Sequence, residues 1–222
     1  MSNQYILSLV NPDAENGKAD GWTSTGSANV SGAGGGGSTF PGPHSGTWYF
    51  GSNLAITSTY TLTQDLVINN DSANSDIDTG FACANLSYWQ AGYGTGSFLD
   101  IGQITLTAMT ANKTFIYGAN TPSNYTYLTN SWSQRHIGMV LPAGTRWIRV
   151  QMQASSPSGL YTEVFFDDIS DLYITYGDES ASSNVDRLYI EASTDIGKSN
   201  ANVIQMFAEV ILGVVPPRVM VA

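Results

Sequence analysis

The stretch Ile56-Thr57-Ser58-Thr59-Tyr60-Thr61-Leu62-Thr63 alternates Ile, Ser, Tyr and Leu with threonines. Successive side chains of an extended chain point to opposite faces, so a period of two residues is the pattern of a β-strand. One face of this strand carries only threonines, and the other carries the larger side chains. The stretch therefore predicts a strand that contributes one face to a core.

Similar strand-like segments occur at short intervals up to residue 176. They are separated by turn signals such as Asn11-Pro12, Pro41-Gly42-Pro43 and Pro142-Ala143-Gly144. No window shows convincing helical periodicity. About nine strands result, at residues 5–10, 22–30, 47–50, 56–63, 81–89, 102–109, 113–117, 145–153 and 163–176. We predict an all-β fold in which residues 1–176 form a two-sheet jelly-roll sandwich.

The composition of the chain is consistent with this fold and excludes some functions. The 222 residues are 42% hydrophobic and only 12% charged, which is enough for one core and a small appendage. The formal net charge is −10, so the average surface repels phosphate backbones and anionic lipids. We therefore expect neither nucleic-acid binding nor membrane insertion.

The single cysteine and the N-terminus indicate where the protein is made. Cys83 cannot form an intramolecular disulfide, and its apolar neighbours predict a small buried side chain. The first residues, Met1-Ser2-Asn3-Gln4, carry no basic segment and no long apolar stretch, so no signal peptide is expected. We expect synthesis and folding in a cytoplasm, with lysis as an open route out of the cell.

The C-terminal residues contain a tandem repeat. One pattern of five residues recurs eighteen positions later, as Val185, Leu188, Tyr189, Glu191, Ala192 and then Val203, Met206, Phe207, Glu209, Val210. This predicts two copies of a small β-unit, or else two ordinary strands of one sheet. The polar segment 177–184 is a linker, which leaves residues 185–222 as a small C-terminal β appendage.

The form Val-x-x-Leu-Tyr-Ile-Glu-Ala of this repeat resembles a segment repeated in structural proteins of tailed bacteriophages. The resemblance implies a virion protein that docks through the repeat, with Leu188, Tyr189, Met206 and Phe207 as contact residues. Units this small do not bury their apolar faces alone. We therefore expect other virion proteins as partners, and a homo-oligomer.

A second resemblance covers residues 5–176. Its motifs are Asn11-Pro12-Asp13-Ala14-Glu15, Gly21-Trp22, Trp48-Tyr49-Phe50-Gly51, Leu86-Ser87-Tyr88-Trp89, Leu141-Pro142-Ala143-Gly144-Thr145-Arg146 and Phe166-Asp167-Asp168-Ile169-Ser170. In this order they resemble carbohydrate-binding modules, the galactose-binding-like jelly rolls found on bacterial glycosidases and phage surface proteins. The resemblance implies the fold more firmly than the function.

Acidic residues at the two ends of this domain suggest a metal site. A jelly roll brings its first and last strands together, so Glu15 can approach Asp167 and Asp168. Hard oxygen ligands are what calcium requires, and the resemblance implies a structural Ca²⁺ held by Glu15 and one of the two aspartates. Asp13 could contribute as well. The alternative is an exposed acidic loop beside a polar strand end.

Two other segments invite a functional interpretation that we do not favour. Residues 74–80 alternate Asx side chains like a calcium loop, but the glycine is one place late, so a turn-rich loop is expected. The glycine run at 31–38 lacks the Gly-Lys-Ser/Thr ending of a phosphate-binding loop. It predicts a flexible connection between strands.

Aromatic residues in or beside polar loops are the candidates for ligand contact. Sugar rings present apolar C–H faces that lie well on aromatic rings, while their hydroxyls need polar neighbours. The candidates, for contact with a glycan or a neighbouring subunit, are Trp89, Tyr93, Tyr125, Tyr127 and Trp132. The alternative is that the tryptophans, including Trp22, Trp48 and Trp147, fill the core.

No catalytic motif is evident. His44 and His136 lie in no metal-ligand spacing. If Asp167 and Asp168 lie in a strand, they point to opposite faces and cannot act as a pair. We predict a non-enzymatic structural protein on the surface of a tailed-phage virion, as a decoration or tail component. The alternative is a glycan-binding module that mediates attachment to a host or to surface polysaccharide.

Overall fold

The computed structural model describes residues 3–26, 28–32, 41–52, 59–92, 100–120, 131–156 and 162–177. These residues form β1 (Asn3–Leu7), β2 (Thr23–Thr25), β3 (Ala28–Gly32), β4 (Trp48–Ser52), β5 (Thr59–Val67), α1 (Asp71–Thr79), β6 (Ala82–Gly92), β7 (Ile101–Met109), β8 (Phe115–Asn120), β9 (Ser133–Val140), β10 (Trp147–Ser155), β11 (Val164–Asp167) and β12 (Leu172–Tyr176). The predicted linker after Gly177 and the C-terminal appendage lie outside the described residues.

The strands form two antiparallel sheets, which confirms the predicted all-β sandwich. The seven-stranded sheet has the order β1-β12-β6-β11-β4-β3, and β9 pairs with the other edge of β6. The five-stranded sheet has the order β2-β5-β10-β7-β8. The first and last described strands pair directly, with Leu7 opposite Leu172.

The alternation in the sequence becomes the two faces of each sheet. In β5 and β10, every second side chain is buried between the sheets, among them Tyr60, Leu62, Ile148 and Val150. The one hydroxyl in this set is satisfied, because Tyr60 donates to the carbonyl of Val164 at 2.7 Å. Each large apolar side chain buried in this way stabilises the fold by about 1.5–3 kcal/mol.

Two segments that we predicted as single strands are each divided. Residues 22–30 form β2, which pairs with β5, and β3, which pairs with β4 in the other sheet. Gly26 ends β2 with φ 72°, and a Cβ there would overlap the carbonyl oxygen of Thr59. Glycine is therefore required where the chain leaves one sheet for the other.

Residues 163–176 form β11 and β12, separated by residues 168–171. Both pair with the same edge of β6, at Trp89–Gly92 and at Ala82–Asn85 respectively. The predicted strand thus exists as two halves with an interruption between them.

The prediction of a turn-rich loop at residues 74–80 is wrong, because residues 71–79 form α1. Asn70 accepts a hydrogen bond from the N–H of Ala73 at 2.8 Å, which caps the N-terminus of the helix. Gly80, with φ 83°, caps the C-terminus. Ala73 and Ile77 lie one turn apart and are fully buried. The Asx residues that suggested a turn-rich loop therefore begin and cover a short helix.

The prediction that Cys83 is buried is confirmed, since its exposed fraction is 2%.

In the described part of the chain, α1 has nine residues, and no helix there reaches the length and apolar character of a membrane span.

Candidate functional site

The interruption between β11 and β12 brings several of the predicted site residues together. Asp168 leaves the strand with φ 44°, a left-handed conformation that is uncommon for residues other than glycine. Ser170 replaces the missing strand pairing: its hydroxyl accepts from the N–H of Ser87 at 2.9 Å, and its own N–H donates to the Ser87 carbonyl at 2.8 Å. The sheet remains hydrogen-bonded across the interruption.

Asp167, the last residue of β11, and Asp168, which follows it, both contact one loop that precedes β4. The carboxylate of Asp167 is fully buried and accepts backbone hydrogen bonds from His44 at 2.8 Å, Ser45 at 3.4 Å and Asp168 at 2.8 Å. The carboxylate of Asp168 accepts from the Ser45 hydroxyl at 2.7 Å and contacts His44 Nδ1 at 2.5 Å. Because Asp168 is not in a strand, the two side chains do not diverge to opposite faces of the sheet.

Burial dominates the electrostatics of Asp167. It raises the pKa of this carboxyl to about 7, and the negative charge of Asp168 acts in the same direction. The three N–H donors lower the pKa, but they do not compensate for the loss of solvent.

Glu15 contacts the same loop from the N-terminal side. Its Oε1 accepts from the N–H groups of Thr47 at 2.8 Å and Trp48 at 2.9 Å. A Cβ on Gly46, which has φ 61°, would overlap this carboxylate, so glycine is required there. Asp13 acts locally by accepting from the Glu15 N–H at 3.3 Å. Three of the four predicted calcium ligands, Glu15, Asp167 and Asp168, therefore contact one segment, residues 44–48, and Asp13 contacts only Glu15.

The metal prediction itself is not tested by these contacts. Among the described residues, no three His, Cys, Asp or Glu side chains lie close enough together to hold a metal ion. Calcium would need backbone carbonyl or hydroxyl oxygens in addition to the carboxylates of Glu15 and Asp167.

Two of the predicted aromatic residues meet above this loop, on the outer face of the seven-stranded sheet. Trp89 stacks on His44, with ring centroids 3.8 Å apart and an angle of 18° between the planes. Trp132 contacts the edges of His44 and Tyr49, and its indole N–H donates to the Gly42 carbonyl at 2.8 Å. Trp89 and Trp132 are partly buried, so they brace the loop and keep some accessible surface.

The remaining predicted residues divide into three groups. Trp22 is buried in the core, and Trp48 packs against it, as the alternative interpretation expected. Trp147 instead lies on the outer face of the five-stranded sheet, beneath the ammonium group of Lys113 at 4.1 Å. The others lie outside the described residues: Tyr93, Tyr125, Tyr127, Leu188, Tyr189, Met206 and Phe207.

The outer face of the five-stranded sheet carries a surface that we did not predict, the threonine–glutamine face. It consists of two rows of four side chains in register across β2, β5, β10 and β7, namely Thr25–Thr61–Gln153–Gln103 and Thr23–Thr63–Gln151–Thr105. Hydrogen bonds run along the rows, as from Gln103 Nε2 to Gln153 Oε1 at 3.2 Å. The alternation of β5 contained the signal, but one strand does not reveal which residues of other strands align with it.

Charge and an aromatic ring border this face. In the adjacent row, Arg149 binds Asp65 through two hydrogen bonds of 2.7 and 3.1 Å, and Lys113 binds the same carboxylate at 3.0 Å. The Arg149 hydrogen bond is the largest cause of the lowered pKa of Asp65. Beyond this charged row, Phe115 on β8 is 66% exposed. The face itself is thus neutral, and a charged row separates it from Phe115.

Comparisons with known proteins show the fold. Similar structures include the tailspike protein 4 enzymatically active domain of bacteriophage CBA120 (13% identity, TM-score 0.51, 76% of this chain and 21% of that chain). Another is the Stig cyclase Fisc from Fischerella sp. TAU (13% identity, TM-score 0.52, 80% of this chain and 100% of that chain). A third is the CBM22-1 xylan-binding domain of Paenibacillus barcinonensis Xyn10C (10% identity, TM-score 0.44, 75% of this chain and 93% of that chain).

This chain therefore spans about a fifth of the tailspike chain, and at these identities the likenesses show the fold alone. No protein-family model and no curated protein sequence matches the chain.

The raised pKa of Asp167 predicts a pH dependence of stability. The unfolded chain ionises this carboxyl near its ordinary pKa of 3.8, whereas the folded protein keeps the proton up to about 7. The stabilising contribution of the protonated Asp167 to the free energy of unfolding is therefore fully present below pH 3.8. It is lost as the pH rises through the folded-state pKa of about 7. Urea unfolding in a chelating buffer, from about pH 4 to about pH 8, measures this loss.

The variant Asp167→Asn is the reference for this measurement, because it carries no titrating group at the position. Asp100 and Glu163, whose pKa values are also raised by burial, remain in both proteins and cancel in the difference. Parallel pH profiles for the two proteins would show that Asp167 has no raised pKa.

Proposed function

We propose that this domain is a non-enzymatic binding module that holds a neutral polysaccharide on the threonine–glutamine face. The observation that carries the proposal is the register of the two rows. Threonine hydroxyls and glutamine amides both donate and accept hydrogen bonds, which is what the hydroxyls of sugars require. Four strands spaced about 4.8 Å apart give each row a length of roughly 14 Å. An extended polysaccharide can therefore place more than one of its sugar residues along a row.

Charge supports a neutral ligand. The formal net charge of −10 repels acidic polysaccharides. The charged groups beside the face, Asp65, Arg149 and Lys113, are already paired with one another. Phe115, exposed beyond the charged row, offers a ring on which the apolar C–H side of a sugar can lie.

Replacement of Gln151 and Gln153 by alanine tests the proposal. Each lost hydrogen-bonding partner costs about 0.5–1.5 kcal/mol, so we expect the double variant to bind ten- to a hundredfold more weakly. Affinity electrophoresis against a panel of neutral polysaccharides identifies a ligand, and calorimetry then measures the difference. Gln4→Ala, on an exposed site of β1 in the other sheet, is the matched control. Unchanged affinity of the double variant, or a panel that retards no form of the protein, contradicts the proposal.

We also propose that a structural Ca²⁺ braces residues 44–48, with Glu15 and Asp167 as ligands and Asp13 or Asp168 as further candidates. Support comes from the convergence of Glu15 and Asp167 on one loop and from the buried carboxyl group of Asp167, whose ionised form a cation would stabilise. The ion would brace the fold and would take no part in catalysis.

Thermal unfolding in calcium and in chelator tests this site. We expect calcium to raise the Tm of the wild type, and we expect Glu15→Gln and Asp167→Asn to lose the response. Asp20→Asn, an exposed aspartate in the same N-terminal loop region, serves as the control and should respond like the wild type. A wild-type Tm that is identical in both buffers excludes the site.

For the whole chain, we propose a virion surface component that is made in a host cytoplasm and docks through residues 185–222. The repeat of Leu188 and Tyr189 as Met206 and Phe207 supports this proposal. Full-length protein and a form ending at Tyr176 are mixed with phage particles that lack the protein, and co-sedimentation is measured. Binding by the full-length form alone is expected, whereas equal binding by both forms contradicts a C-terminal anchor.

A further inference from the structure

An open groove of about 230 Å³ lies on the outer face of the seven-stranded sheet, away from the threonine–glutamine face. Its lining side chains are Asn85, Ser87, His136, Ser170 and Tyr173. Leu86 and Ile137 complete the lining, and since their own side chains are buried in the core, they contribute mainly backbone. The lining contains amide, hydroxyl, imidazole and phenol groups and no Asp, Glu, Lys or Arg.

The groove exists for two structural reasons. At the interruption between β11 and β12, regular strand pairing with β6 stops, and Ser170 bridges to Ser87 in place of a strand residue. In the neighbouring row, Tyr173 on β12 lies opposite Asn85 on β6, and Asn85 lies opposite Gly138 on β9. Because Gly138 has no side chain, the space between Tyr173 and His136 stays open.

The side chains around the groove leave space for one ring of a small ligand. Tyr173 and His136 belong to the strands on either side of β6 and lie in neighbouring rows, opposite Asn85 and Ser87, so two strand spacings and one row, about 12 Å, separate their backbone positions. Between them, Asn85 and Ser87 form a polar floor. Sites for drug-sized ligands usually occupy about 300–1,000 Å³, so this groove fits a smaller molecule.

We propose that the groove is a second carbohydrate site, which holds a single sugar residue edge-on. The hydroxyl edge of the sugar meets Asn85 and Ser87, and its two apolar faces meet Tyr173 and His136. The absence of charge in the lining selects a neutral sugar. This inference takes its ligand class from the proposed function, but it depends on different residues, on the other sheet.

The consequence is a division of roles between the two sheets. The threonine–glutamine face contacts several residues of a chain, whereas the groove accepts one residue at a chain end or branch. Trp89, two positions beyond Ser87 on the same face of β6, places its stack with His44 at one end of the groove. We expect this stack to block a continuing polymer at that end.

The test is an amide NMR titration of the full-length protein with neutral monosaccharides, for example glucose, galactose, rhamnose and N-acetylglucosamine at millimolar concentrations. We expect at least one of them to cause saturable shifts confined to residues 85–87, 136–138 and 170–173. Gly138→Val fills the open space with a residue favoured in strands and should abolish the shifts. Asn85→Ala should weaken binding about tenfold.

Gly118→Val is the matched control, because it also places valine at a strand glycine, and a Cβ there meets only ordinary contacts at 3.6 Å or more. It should leave the monosaccharide shifts unchanged. The spectrum of each free variant shows whether it is folded, and Asn85→Ala keeps the test decisive should Gly138→Val misfold. Absence of saturable shifts at these amides with every sugar, or shifts that persist in Gly138→Val, overturns the inference.

The same variants separate this inference from the proposed function. If Gly138→Val and the wild type bind polysaccharide equally and no monosaccharide enters the groove, the groove inference fails and the proposed function stands. If monosaccharides bind in the groove while Gln151→Ala/Gln153→Ala binds polysaccharide normally, the inference stands and the threonine–glutamine face loses its role.

Discussion

The buried carboxyl group of Asp167 is the interaction on which the outer face of the seven-stranded sheet depends. It accepts three backbone hydrogen bonds at the place where β11 ends, and two of them fix the loop that leads into β4. That loop in turn presents His44 to Trp89 and the N–H groups of Thr47 and Trp48 to Glu15. One buried acceptor thus ties the N-terminal loop, the aromatic stack and the interrupted strand together.

The interruption has a cost and a benefit. Asp168 takes an unfavourable backbone conformation, and a carboxyl group is buried beside a second one. In return, the sheet gains a local opening without losing its hydrogen bonds, since Ser170 bonds to both backbone groups of Ser87. A continuous strand would present a flat surface with no room for a ligand. The groove and the carboxylate cluster are therefore two results of the same irregularity.

The sequence predicted the structure correctly wherever the alternation of apolar and polar side chains lies within a single strand. The alternation around Tyr60 predicted a half-buried strand, and the pairing of first and last strands predicted that Glu15 would approach the aspartates at the far end of the domain. It was uninformative where the answer depends on other segments. Asn70 could cap a turn or a helix, and only burial of Ala73 and Ile77 selects the helix. Residues 163–176 have an unbroken strand pattern, and the break at Asp168 follows from contacts with residues 44 and 45. The rows of threonine and glutamine likewise depend on register between strands distant in sequence.

The pairing of β1 with β12 also constrains how the domain is made. Asn3 lies opposite Tyr176, so nearly the whole sandwich must leave the ribosome before its first strand finds a partner. Because the ribosome adds about 5–20 residues per second, β1 remains unpaired for roughly 10 to 30 seconds. Contacts so distant in sequence also slow the folding reaction itself. The nascent chain therefore exposes Leu7, which is buried in the folded sandwich, to other nascent copies until synthesis is complete, and premature self-association is a hazard that rises with the rate of expression.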